Sequence, residues 1–83
     1  MGADKESRII EHRNESYVFV PRTVPGGYNV IRLKDQIAVG VFWLDTEDQV
    51  YDCVALGEIT TAEIQQIALT GIEAGFVLGR RPV

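Results

Sequence analysis

Hydrophobic and polar positions keep two rhythms along this chain. From residue 8 to residue 56, short apolar runs rich in β-branched and aromatic residues alternate with polar breaks, the mark of strands joined by turns; from Ile59 onward the apolar period lengthens to that of a helix. The strand-like runs are residues 8–13 (RIIEHR), 16–21 (SYVFVP), 28–33 (YNVIRL), 36–44 (QIAVGVFWL) and 49–56 (QVYDCVAL). The breaks are Asn14-Glu15, the loop RTVPGG at 22–27, Lys34-Asp35, and Asp45-Thr46-Glu47-Asp48. Strands joined this closely pair antiparallel as a meander.

The helix carries the strongest local signals. Thr60 with Glu63 three residues on forms a capping box, and Ile59 and Ile64 occupy the flanking staple positions. Ile64, Ile67, Ala68, Gly71 and Ile72 then recur on one stripe, and Gly75 is placed to end the helix. Gly71 inside the helix implies close approach of a neighbour. The predicted fold is therefore α+β: an antiparallel meander of about five strands with one C-terminal helix packed on one face, forming a single domain over residues 1–83 with flexible ends at 1–7 and 80–83.

Register follows if the turns hold two and four residues. Val30 then faces Val39, Tyr28 faces Val41, Val41 faces Asp52 and Ile37 faces Leu56. One face would carry Tyr28, Val30, Arg32, Val39, Val41, Trp43 and Asp52; the other would carry Asn29, Ile31, Ala38, Gly40, Phe42, Cys53 and Ala55. Both sets are mainly apolar, whereas an antiparallel sheet with one wet face alternates apolar with polar. A single helix, about 10 Å wide, shelters only one face of a sheet about 24 Å across. The shallow trough of Ala38, Gly40, Cys53 and Ala55 suits the helix. The first face then needs a second layer, from barrel closure or from a second copy of the chain. Its Tyr28, Arg32, Val41, Trp43 and Asp52 form the candidate partner- or ligand-binding set, since aromatic anchors and Arg are enriched where proteins bind.

Size and charge narrow the functions. At 83 residues and 9.2 kDa the chain holds one small core, burying about 63% of its unfolded surface, so a large two-domain enzyme is excluded. One Cys and one His leave too few soft ligands for a structural zinc site and no internal disulfide, so a reducing cytoplasm is the expected setting. The N-terminal residues MGADKES do not resemble a secretory leader, and no apolar run is long enough to cross a bilayer, so no membrane role is expected. The net charge of −4 is unevenly spread: +1 over residues 1–44, −7 over 45–79, and +2 at Arg80-Arg81. That acidic stretch would repel phosphates, so a nucleic-acid partner is not expected, whereas a cation or a basic protein surface suits it.

Residues able to do chemistry stand apart from one another. His12 has no evident orienting carboxylate and nucleophile beside it, and Cys53 reads as a small core residue. Residues 45–48 lack the glycine and closing glutamate of a calcium loop, Gly26-Gly27 lacks a following lysine, and no Ser or Thr has an activating base. No catalytic residue, metal or cofactor is assigned. The expected function is a small non-enzymatic interaction module acting as a homodimer through the first face, with a protein partner or cationic ligand on its remaining surface. The other reading is a cation-binding protein or small enzyme at the dimer interface, in which Asp52 or His12 acts as acid or base and Tyr28 positions the substrate.

Overall fold

The computed structural model describes residues 9–76; the expected flexible ends at 1–7 and 80–83 lie outside them. Five strands follow one another, β1 (Ile10–His12), β2 (Glu15–Pro21), β3 (Gly27–Arg32), β4 (Ile37–Leu44) and β5 (Val50–Ala55), and helix α1 (Thr61–Glu73) comes last. Sheet order equals chain order and every pairing is antiparallel. The sheet curls into a half-barrel with α1 against its inner face, touching β5, β4 and β1. The fold is α+β, as the pattern predicts.

Local chemistry explains the joints. Arg13 and Asn14 both hold positive φ, 53° and 67°, which is what a two-residue hairpin turn with the sheet's own twist requires. The turn therefore sits one residue earlier than predicted, and His12 faces Glu15 while Ile10 faces Tyr17. At the β4–β5 turn, Asp45 Oδ1 accepts hydrogen bonds from the backbone N–H groups of Glu47 (2.8 Å) and Gln49 (3.0 Å), so that carboxylate is used to shape its own turn.

Both ends of α1 match the predicted signals. Thr60 is extended and its Oγ1 accepts from Glu63 N at 3.2 Å. At the other end Gly75 takes φ 83°, with Phe76 N–H donating to Gly71 O (2.9 Å) and Gly75 N–H to Ile72 O (3.0 Å). This pair of bonds satisfies carbonyls that a helix end otherwise leaves open.

The core is one cluster between sheet and helix: Ile10, Tyr17, Tyr28, Val30, Val39, Phe42, Leu44, Ile64, Ile67 and Ala68. Phe42 is its centre, meeting Tyr28 in a stack (5.3 Å between ring centroids, 18°) and Phe19 edge-on (4.8 Å, 71°). Gly71 lets α1 settle onto Phe19 and Ile10, the close approach its position implied.

The predicted register fails at one place and slides at another. Next to the β3–β4 turn Arg32 faces Ile37 and Ile31 faces Ala38, in line with the expectation, but a bulge between Val30 and Ile31 then puts Val30 opposite Gly40 and Tyr28 opposite Phe42. Val39 is the extra residue, and it is buried in the core. Tyr28 and Val30 consequently belong to the helix side of the sheet, while Asn29 and Ile31 move to the outer side, the reverse of the predicted assignment. Between β4 and β5 the slide is two residues, Val41 facing Val54 and Trp43 facing Asp52, so Val41, Trp43 and Asp52 keep the predicted face although the partners differ; nearer the turn Val50 faces Leu44 and packs on the core side, not on the outer face expected for it.

Candidate functional site

The outer face of the sheet is built from alternate residues of four strands. Val18 and Val20 of β2, Asn29 and Ile31 of β3, Val41 and Trp43 of β4, and Asp52 and Val54 of β5 share it, by the pairings Val20–Asn29, Asn29–Val41, Val41–Val54 and Trp43–Asp52. No element among the described residues covers this side. Val20 and Val54 are exposed, at 43% and 41%, and Val41 in the middle is sheltered only by the side chains around it, at 5%.

Across the strands at one end of this face runs a row with charge at both ends. Trp43 lies between Gly27 on β3 and Asp52 on β5. Gly27 lacks the side chain that would collide with the indole: a Cβ there would stand 2.9 Å from Trp43 Nε1 and 3.2 Å from Arg22 Cδ. Through that gap Arg22 reaches the ring, its guanidinium carbon 5.9 Å from the ring centre, while Nη1 donates to Asn29 Oδ1 at 2.9 Å. The order is Arg22, Trp43, Asp52.

Of the five residues singled out from sequence, the structure brings three to this face and takes two away. Val41, Trp43 and Asp52 are there. Tyr28 is buried on the opposite side against Phe42. Arg32 also belongs to the inner side of β3, at the hairpin end, where its Nε donates to Asp35 Oδ1 (3.0 Å) and its Nη2 to Asp35 Oδ2 (2.7 Å). The expected cross-strand row of Tyr28, Val41 and Asp52 is not assembled. Moreover, the Trp43 ring already has Arg22 of its own chain beside it.

Arg22 is the member that sequence reasoning missed. It stands in a loop, and its place over the sheet depends on Gly27 pairing with Trp43, which local pattern does not reveal. Arg22 N–H donates to Gly27 O at 2.9 Å, closing the loop that delivers it. The one visible signal was the spacing of Arg22 and Gly27 across a Pro-Gly-Gly turn.

Proton-transfer chemistry finds little footing. Burial raises the Cys53 thiol above its ordinary range, with Asp52 adding to the effect, and the Sγ–H donates weakly to Thr61 O at 3.7 Å; the nucleophilic thiolate is disfavoured. Burial likewise raises the Tyr17 phenol, with the Glu15 charge next in weight. His12 meets Tyr17 edge-on at 6.4 Å and its Nε2 is buried without a hydrogen-bond partner. Among the described residues no three His, Cys, Asp or Glu side chains gather as metal ligands, and no helix is long and apolar enough to cross a membrane.

Compared with known proteins, the chain matches no family model, no curated protein and no solved structure.

Proposed function

We propose that this chain is a non-catalytic interaction module that pairs with a second copy of itself, outer face to outer face. The observation that carries this reading is the row Arg22–Trp43–Asp52 on a surface whose other residues, Asn29 apart, are aliphatic. Two sheets stacked about a two-fold axis running parallel to the strands over Trp43 reverse the row. Arg22 of one copy then lies above Asp52 of its partner, and the reverse, with the two indoles at the centre. A two-fold axis across the strands would instead set like charges together, so the row also selects the orientation.

Size sets the strength of the pairing. Four strands about 4.8 Å apart, about six residues long at about 3.3 Å each, present roughly 400 Å² per copy. Roughly 800 Å² in all falls below the 1,000 Å² or so of a stable complex, so the dimer is a weak and exchanging one. Val20, Val54 and Trp43 supply the apolar contact and the charged pairs supply orientation. A cytoplasmic setting accords with the free thiol of Cys53.

Sedimentation equilibrium over about 1 μM to 1 mM tests the reading. The expected result is a monomer that converts to dimer toward the upper end; a 9.2 kDa species throughout would refute it. Asp52→Arg alone should abolish the dimer by placing two arginines together, and the double variant Arg22→Asp/Asp52→Arg should restore it. A double variant no better than the single one would remove the proposed orientation.

A further inference from the structure

The sheet has two edges, and they are not equally protected. β1 has only three residues, and α1 packs against both edge strands, so length is what separates them. β5 has six, contains neither proline nor lysine, and among the described residues has a strand on one side only. Short strands, prolines, lysines and bulges are the usual guards of an edge. β5 has one bulge, where Trp43 faces Asp52 but Leu44 faces Val50; it is confined to the beginning of the strand, and residues 52–55 run regularly beyond it.

Which backbone groups point outward can be read from the ladder. Leu56 N–H donates to Val39 O at 3.0 Å, and Val54 and Asp52 continue the same alternation opposite Val41 and Trp43. Residues 52, 54 and 56 therefore turn their N–H and C=O groups toward β4. Cys53 and Ala55 turn theirs away from the sheet, where a further strand would bind them. Tyr51 beside them is 65% exposed and Val54 41%.

Charge decides what that further strand can be. Asp45, Glu47 and Asp48 precede β5, Asp52 lies within it, Glu58 follows, and no basic residue occurs from 45 to 79. A second copy pairing β5 against β5 antiparallel would set the acidic turn of one molecule beside Glu58 of the other and bring the two Asp52 side chains near each other, which is unfavourable. We propose that the free edge of β5 receives an extended, lysine- or arginine-rich segment of a partner protein as a sixth strand. Backbone hydrogen bonds at Cys53 and Ala55 hold it, and the acidic flanks select it and speed its arrival. This does not rest on the face-to-face dimer, since an edge and a face are separate surfaces.

The test is an NMR titration of the labelled chain with the capped peptide Lys-Val-Lys-Val-Lys and, in parallel, with Glu-Val-Glu-Val-Glu. The basic peptide is expected to move the amide signals of Cys53 and Ala55 most, less so as salt is raised, and the acidic peptide to leave them in place. Ala55→Pro removes an outward N–H without touching the β4 ladder and should weaken binding by about tenfold. Should that variant not fold, the basic peptide with alternate backbone nitrogens methylated, added to the unaltered chain, should bind as weakly. Unmoved signals at Cys53 and Ala55, equal response to the acidic peptide, or full binding by the methylated peptide would each overturn the proposal. Sedimentation reports on the dimer separately, so failure of one leaves the other readable.

Discussion

Gly40 and Ile64 share one volume: Cδ1 and Cγ1 of Ile64 fill the space in which a side chain on residue 40 would begin, and Val54 O closes the same space at 3.1 Å. This contact joins α1 to the middle of the sheet, and a backbone oxygen cannot swing aside as a methyl can. Gly40→Ala is therefore expected to destabilise the fold by about 1–3 kcal/mol, the usual effect of overpacking. Urea unfolding measures it, and Ile64→Val in the same chain should recover part of the loss. Unchanged stability in Gly40→Ala would show that the helix stands further off.

Thr60 begins α1 through a bond that its hydroxyl oxygen accepts from Glu63 N–H. Thr60→Ala should cost about 1 kcal/mol, whereas Thr60→Ser should stay near the parent, by thermal or denaturant unfolding. Equal losses in both would indicate that the cap oxygen contributes little.

The buried Nε2 of His12 lacks a partner, while the ring's contact with Tyr17 is apolar. His12→Phe keeps the ring contact and removes the orphaned nitrogen, so its melting temperature should equal or exceed that of the parent. A clear drop would mean that the imidazole makes a polar contact in solution.

Asp35 and Arg32 form a two-bonded pair at the β3–β4 turn, and the guanidinium holds the Asp35 carboxyl below the usual aspartate range. A carboxyl with a lowered pKa adds stability that is complete above its unfolded value, near 3.9, and is lost as pH falls through the lower folded value. The melting temperature should thus decline on acidification below about pH 4, and Asp35→Asn should flatten part of that decline. The pair is at the surface and the effect is small. Identical acid profiles for both chains would refute it.

Cys53 is held in its thiol form by burial and by Asp52. Alkylation by iodoacetamide at pH 8 should be slower than for an unstructured peptide thiol and should accelerate only at higher pH. Asp52→Asn should shift that acceleration to lower pH by relieving the smaller of the two causes. A rate at pH 8 matching the unstructured thiol would show that the side chain is open to water.

Much of the architecture is legible in local pattern. The β-branched runs, the polar breaks and the sequence from Ile59 to Ile64 place all five strands and the helix, because each signal acts over a few neighbouring residues. Gly71 against Phe19 and Gly75 in the left-handed region likewise follow from what glycine alone permits. The candidate site was legible by halves. Trp43, Asp52 and Val41 lie on the expected face, but Tyr28 and Arg32 were carried to the other side by a single extra residue, Val39.

That slip was invisible because both faces of the central strands are apolar. Where one face is polar, a one-residue shift exposes valines and buries charges, and the alternation reveals it; here Val30 and Ile31, or Val39 and Ala38, can exchange sides without an evident penalty. What tips the balance is packing at a distance along the chain. Gly40 must lie beneath Ile64, and Phe42 must reach Tyr28 and Phe19, so the bulge belongs where it lets Val39 and Gly40 both serve the core.

Local sequence alone determined which segments are strand, turn and helix, where α1 starts and stops, and that the acids cluster after residue 44, since these depend on near neighbours and on composition. Only the tertiary structure decided which side of the sheet each residue of β3 occupies, that Arg22 rather than Arg32 accompanies Trp43, and that Cys53 and Ala55 turn outward from β5, the last strand of the sheet among the described residues. Those outcomes are settled by contacts between residues more than a dozen positions apart, where a bulge of one residue reverses a whole strand and leaves its alternation unchanged.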